Sequence, residues 1–211
     1  LAGDVNFVTL GTLWKGDPKK LGGWDYTTEI AFQVGTFEDK DLTAFAGHWE
    51  VGYNWLNTGW KPRIALQYNY GTGDSNAKDG KVGTFQNLFP TNHLFYGFMD
   101  TTGWANMHNP QINLSLWPTA KLKLMLDYHL YWMADTADAW YRVNGVTRVR
   151  PINANASSYR GSELDVTAIY KVNKNLSLQA GYSVFFAGAY LDDTGAADDA
   201  HFGYAQIQIN F

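Results

Sequence analysis

His201-Phe-Gly-Tyr-Ala-Gln-Ile-Gln-Ile-Asn-Phe211 alternates to its last residue. In an extended chain Gly203, Ala205, Ile207, Ile209 and Phe211 fall on one face, and Tyr204, Gln206, Gln208 and Asn210 on the other. One face is oily and the other wet. Alone, the stretch fits a half-buried strand of a soluble sheet as well as a strand facing lipid. The chain ahead of it decides.

Period two recurs throughout, and no helical period is sustained over eleven or more residues. The expected strands are Val5–Trp14, Trp24–Phe37, Leu42–Trp55, Arg63–Gly71, Gln111–Trp117, a segment from Leu122 to Met133, Ser162–Val172, one from Leu176 to Phe186, and the final strand. Most run to about ten residues or more. That suits the ~9–11 residues of a tilted bilayer-crossing strand better than the ~5–6 usual in soluble sheets. Aromatic residues sit near the ends of several oily faces, as in Trp24 with Tyr26, Tyr53 with Trp55, and Tyr128 with Trp132. Girdles of a membrane barrel place rings there, at the boundary between acyl chains and headgroups.

Composition points the same way. Among 211 residues, 16% are aromatic, with nine Trp and 13 Tyr, although hydrophobic content is an ordinary 45%. The mean hydropathy of -0.30 does not count against a barrel, because only alternate residues of each strand meet lipid. No apolar run of ~18 residues is present, which excludes a transmembrane helix. With no cysteine there is no disulfide framework, thiolate nucleophile, Cys-ligated zinc or covalent haem site. A net charge of -4 speaks against nucleic acid as a partner. No signal peptide is visible at Leu1, and the chain enters a strand almost at once, so earlier strands are expected ahead of it.

Connections alternate in length in the second half: long after the fourth and sixth strands, short after the fifth and seventh. Outer-membrane barrels have long outer loops and short periplasmic turns. That parity places the C-terminus at the periplasmic rim, although it also makes the 15–23 connection periplasmic. The 72–109 insertion carries Phe85, Leu88, Phe89, Leu94, Phe95 and Tyr96, too apolar for a loop left in solvent. It is expected to fold into the barrel or cap its mouth, forming a constriction or lid around Phe85, Phe89, His93, Phe95, Tyr96 and Asp100.

Several stretches together resemble the outer-membrane alginate-export-like barrels, in their C-terminal part. They are Leu88-Phe-Pro-Thr-Asn-His-Leu-Phe-Tyr-Gly97 with Met99-Asp100, Leu124-Met-Leu-Asp-Tyr-His129 followed by Trp132–Tyr141, Gly161-Ser-Glu-Leu-Asp165, and Leu176–Tyr182. The resemblance implies a monomeric antiparallel barrel that passes solutes and is larger than this chain can build. Nine strands are counted, whereas bacterial single-chain barrels close with an even number. The expectation is an all-β antiparallel transmembrane β-barrel of which this chain is the C-terminal half, with the last strand pairing the eighth on one side and the barrel's first strand on the other.

The inward set departs from what a polyuronate exporter would want. Arg63, Lys123 and Lys171 stand against Glu29, Glu50, Asp127, Glu163 and Asp165, with Asp25 near a rim. A polyanion is passed more cheaply along positive charge. The expected pore lining is Glu29, Gln33, His48, Glu50, Arg63, Gln67, Asn69, Lys123, Asp127, His129, Tyr131, Glu163, Asp165, Lys171, Gln179 and Gln206, with Lys123/Asp127 and Asp165/Lys171 as ion pairs.

The expected function is therefore a porin-like channel for hydrophilic solutes, saccharides or ions, in the outer membrane of a Gram-negative cell, with no enzyme activity and no cofactor. Membrane lipid and lipopolysaccharide would be its surroundings, and a lumen-filling or periplasmic protein is a further candidate partner. Two other classes stay in view: a barrel sheathing a partner, and a rim-located hydrolase built on Asp127, His129 and Ser183. His48 with Glu50, and the aspartates of 192–199, lack the spacing of a metal loop, so they are expected to be solvated.

Overall fold

The computed structural model describes the chain apart from residues 1–3, 90–91, 146 and 148–149. Its strands are β1 Val5–Gly16, β2 Trp24–Phe37, β3 Lys40–Asn54, β4 Arg63–Gly71, β5 Lys81–Val82, β6 Met107–Leu116, β7 Leu122–Met133, β8 Tyr159–Lys171, β9 Leu176–Ala187 and β10 Ala200–Ile209. Two short helices, α1 Asn92–Phe95 and α2 Ala189–Thr194, complete it. All ten strands belong to one sheet, in which nine pair antiparallel in chain order. The tenth, β5, is a two-residue strand running parallel to the start of β3, where Leu42 meets Val82. Nine strands were readable from alternation; two residues are too few to show it.

The edges of the sheet are β1 and β10, and among the described residues they are not paired with each other. Connections 17–23, 55–62, 117–121 and 172–175 lie at one end, the turn end, and 72–106, 134–158 and 188–199 at the other, the loop end. The β2–β3 hairpin is the exception at the loop end. There Glu38 and Asp39 both take positive φ (51° and 65°), which a two-residue type I′ turn requires.

Several bounds differ from expectation by a few residues, and three of the differences have a physical reason. β6 begins at Met107 rather than Gln111 and takes Pro110 inside the strand. The missing N–H of Pro110 is met on the β7 side: the β6–β7 ladder skips Asn109 and Pro110, and the Asn109 amide donates to the Leu130 carbonyl at 3.0 Å. The expected acidic loop of 192–199 begins as a helix, since α2 runs through Thr194. β10 ends at Ile209 rather than Phe211, leaving the Asn210 N–H to the Asn175 carbonyl.

The outer face of the sheet exposes Leu10, Trp24, Val51, Leu66, Ile112, Leu126, Val166, Leu178 and Ile207, one from each of the nine long strands in order. Water would penalise so continuous an apolar surface, whereas a bilayer matches it and requires the backbone to be paired as it is here. The core lies on the inner face toward the loop end. One cluster joins Tyr131, Met133, Trp140, Phe185, Tyr190 and Leu191. The other places Phe85 against Ala31, Leu42, Ala44 and Ala46, small residues of β2 and β3 that leave room for a ring.

Candidate functional site

The inner face is crossed from side to side by residues 85–89 and 92–100. Gln33 on β2 holds the near end with two bonds, donating to the Gln86 carbonyl at 2.9 Å and accepting from the Gln86 N–H at 2.8 Å. Mid-way, the Phe95 carbonyl accepts from the amides of Gln67 (3.3 Å), Asn69 (3.3 Å) and Gln111 (2.8 Å). His48 meets Asn69 at 2.7 Å and turns its ring edge-on to Phe95. Beyond it, Tyr131 donates to the Tyr96 carbonyl at 2.9 Å, Met99 N–H to Glu163 at 2.9 Å, and Phe98 N–H to Asp165 at 3.4 Å. The far end stacks Phe98 on Tyr204 of β10. The segment is a strap, fastened at each crossing by a polar side chain of the wet row below.

Gly97 allows the tightest crossing. Its φ is +92°, and a Cβ there would lie 2.5 Å from Glu163 Oε1 and 2.6 Å from the Tyr131 hydroxyl. Asp100, which follows, faces His93 at 3.2 Å. Burial pushes the Asp100 carboxyl up, and the His93 charge pulls against it.

Beneath the strap lies a cavity of about 320 Å³ lined by Glu50, Arg63, Lys123, Asp127, His129 and Asp165, among others. Arg63 is the hub of an ion-pair group, reaching Asp25 through Nε at 2.8 Å and through Nη2 at 2.5 Å, with Glu50 on its other side. Asn54 also donates to Asp25. Asp127 accepts from Asn113 at 2.6 Å, and His129 Nε2 stands 3.4 Å from Asp165. The Lys123 ammonium lies over the Trp117 ring, 5.1 Å from its centroid.

The remaining expected lining residues lie elsewhere on the same face. Glu29, opposite His48 in register, borders a recess of about 150 Å³ with Phe89, Phe95 and Tyr96. Lys171, Gln179 and Gln206 border an open cavity of about 430 Å³ at the turn end. Phe85 and Tyr96 are buried, whereas Phe89 is 88% exposed.

Neither expected ion pair forms. Lys123 and Asp127 are four residues apart, and Asp165 and Lys171 six, which in a strand means about 13 and 20 Å. Spacing of four brings side chains together on a helix, not on a ladder. Nor do Asp127, His129 and Ser183 assemble as a nucleophile and base. Ser183 is directly across from Asp165 on the next strand, so the carboxylate stands between it and β7, and its hydroxyl has no hydrogen-bond partner among the described residues.

Two anchors went unread in the sequence. Arg160, fully buried at the loop end, donates to Thr102 at 2.6 Å and to the Asn106 carbonyl, touches Met133 sulfur at 3.0 Å and lies over the Trp140 ring. Asp138 accepts from the Thr84 hydroxyl (2.6 Å), the Asp74 N–H (3.0 Å) and the Tyr141 hydroxyl (2.7 Å), tying the two long loops together. Burial, with Asp138 beside it, pushes the Tyr141 phenol up. Arg160 lay at the assumed edge of a loop, and Asp138 is one of several loop aspartates with no periodicity to distinguish it.

One antiparallel sheet, oily outside and polar inside, with its own strap across the polar face, is the architecture of an outer-membrane β-barrel protein. The chain belongs to the alginate export family, whose model, described as Alginate export, matches residues 2–204. That is an outer-membrane family of β-barrel transport proteins. No curated protein sequence matches the chain.

Proposed function

We propose that the inner face is the wall of a passage for hydrophilic solutes, ions or saccharides, and that the 85–100 strap narrows it. Solutes cross by diffusion, without a catalytic step or a cofactor. The observation that carries this reading is the strap itself, bonded at Gln33, Gln67, Gln111 and Glu163 to the polar wall and stacked on Tyr204, above a polar cavity. A lumen already crossed by its own chain favours a channel over a sheath for a protein partner. Part of the reading is that further strands close the ladder between β1 and β10, since lipid leaves no edge unpaired.

Alginate is not carried over as the cargo, because the wall beneath the strap is not basic. Single-channel recording of the full-length protein in a planar bilayer tests the proposal. Steady ion flux is expected, rising when residues 86–98 are replaced by a short Gly-Ser linker. A barrel that stays silent in both forms would sink the reading. Flux appearing only after a bound protein is stripped away would favour the sheath.

A further inference from the structure

Asp127 and Asp165 stand directly across the β7–β8 ladder from each other, both buried on the inner face. Cβ atoms of such a pair are about 4.5–5.5 Å apart, and like charges placed there repel. No Lys or Arg forms an ion pair with either carboxylate among the described residues. Arg63 is committed to Asp25 and Glu50, and Lys123 to the Trp117 ring. What the pair does have is the Asn113 amide, the Phe98 N–H and the His129 ring.

A second feature is independent of that charge. His129 and Asp165, 3% and 1% exposed, both line the cavity beneath the strap. The Nδ1 of the first and the Oδ1 of the second have no hydrogen-bond partner among the described residues, and neither has Asn113 Oδ1 in the same wall. Carboxylate and amide oxygens can only accept, so the cavity calls for a ligand that donates hydrogen bonds or carries positive charge. Among the described residues no His, Asp and Glu group converges tightly enough to chelate a metal ion. The wall therefore acts on a hydrated ion or an ammonium group.

We infer that Asp127 and Asp165, with Asn113 and His129 beside them, form a cation-attracting subsite that makes the passage favour small cations and protonated amines over anions. This rests on the channel reading. A small cation held between the two carboxylates relieves their repulsion, whereas a polyuronate meets Glu50, Asp127 and Asp165 with only Arg63 and Lys123 to offset them.

Reversal potentials of the full-length protein across a KCl gradient test the subsite. The wild type is expected to prefer potassium over chloride, with each uncompensated carboxylate contributing about fivefold. Asp127→Asn and Asp165→Asn keep size and hydrogen bonding, so each should lower the preference and the double variant should bring it close to one. Spermidine is expected to block the wild type and spare the double variant. Chloride preference in the wild type overturns the inference even if neither variant inserts, and so does an unchanged preference in the double variant, as a proton shared between the two carboxylates would give. In both cases flux persists and the channel reading stands. Absence of flux overturns both.

Discussion

At the loop end the inner face buries Tyr131, Arg160 and Glu163, and the strap and two long loops pack over them; at the turn end the same face leaves Lys171 and Gln206 exposed around an open cavity. Both stretches come from the same strands and the same alternation. The difference lies in what the connections supply. Long apolar connections fold back and give the inner rows partners, whereas short turns leave them to water. The sheet is therefore a uniform wall with a filled upper half and an open vestibule below.

Substitutions at the two ends should then behave differently. The largest effect is expected for Arg160→Met, which strips Thr102 and the Asn106 carbonyl of a buried charged donor. It should lower stability by about 3–5 kcal/mol, from two buried acceptors left unpaired at about 1–3 kcal/mol each together with the lost contact to the Trp140 ring. The check is denaturant unfolding in detergent micelles. Asp138→Ala removes the acceptor for Thr84, Asp74 and Tyr141, at about 2–3 kcal/mol, the cost of leaving buried donors unpaired. Its signature is local: protease should begin to cut within 72–106 while the strands remain intact.

Gly97→Ala is expected to cost about 1–3 kcal/mol, from strain at positive φ and overlap with Glu163 and Tyr131. The strap should lift, so conductance should rise even as stability falls. At the turn end Lys123→Gln gives up only a cation–π contact of about 0.5–1 kcal/mol, and unfolding should scarcely move. If Lys123→Gln destabilised as much as Asp138→Ala, the contrast between filled and open halves would be wrong.

Sequence alternation carried most of the wall. Trp24–Phe37 and Arg63–Gly71 are strands to the residue, and Gln33, His48, Gln67, Asn69, Asp127, His129 and Glu163 all lie on the inner face as their alternation requires. Period two reports which face a side chain takes, but not which side chains meet across strands. That is why Lys123/Asp127 was misread as a pair, while the contact between Arg63 and Asp25, 38 residues apart, waited for the register. Gln111 and Asn113 lie in the expected strand Gln111–Trp117 but outside the expected lining, and the start of β6 at Met107 stands ahead of Pro110, whose missing donor is replaced by a neighbouring side chain. The course of the strap was legible only as apolar content. Its route depends on carbonyls such as that of Phe95, which leave no mark in a sequence.

The 72–106 connection leaves and rejoins the sheet at residues that face each other, since Gly71 at the end of β4 is in register with Met107 at the start of β6. Everything between them is thus an insert in a hairpin whose ladder would be complete without it. Closing a long loop costs little more entropy than closing a short one, about 0.6 kcal/mol per doubling. Such an insert can be lengthened, shortened or exchanged while the surrounding ladder keeps its register. The cover over the inner face and the ladder beneath it can therefore drift separately over evolutionary time, as a cartridge is changed within a fixed housing.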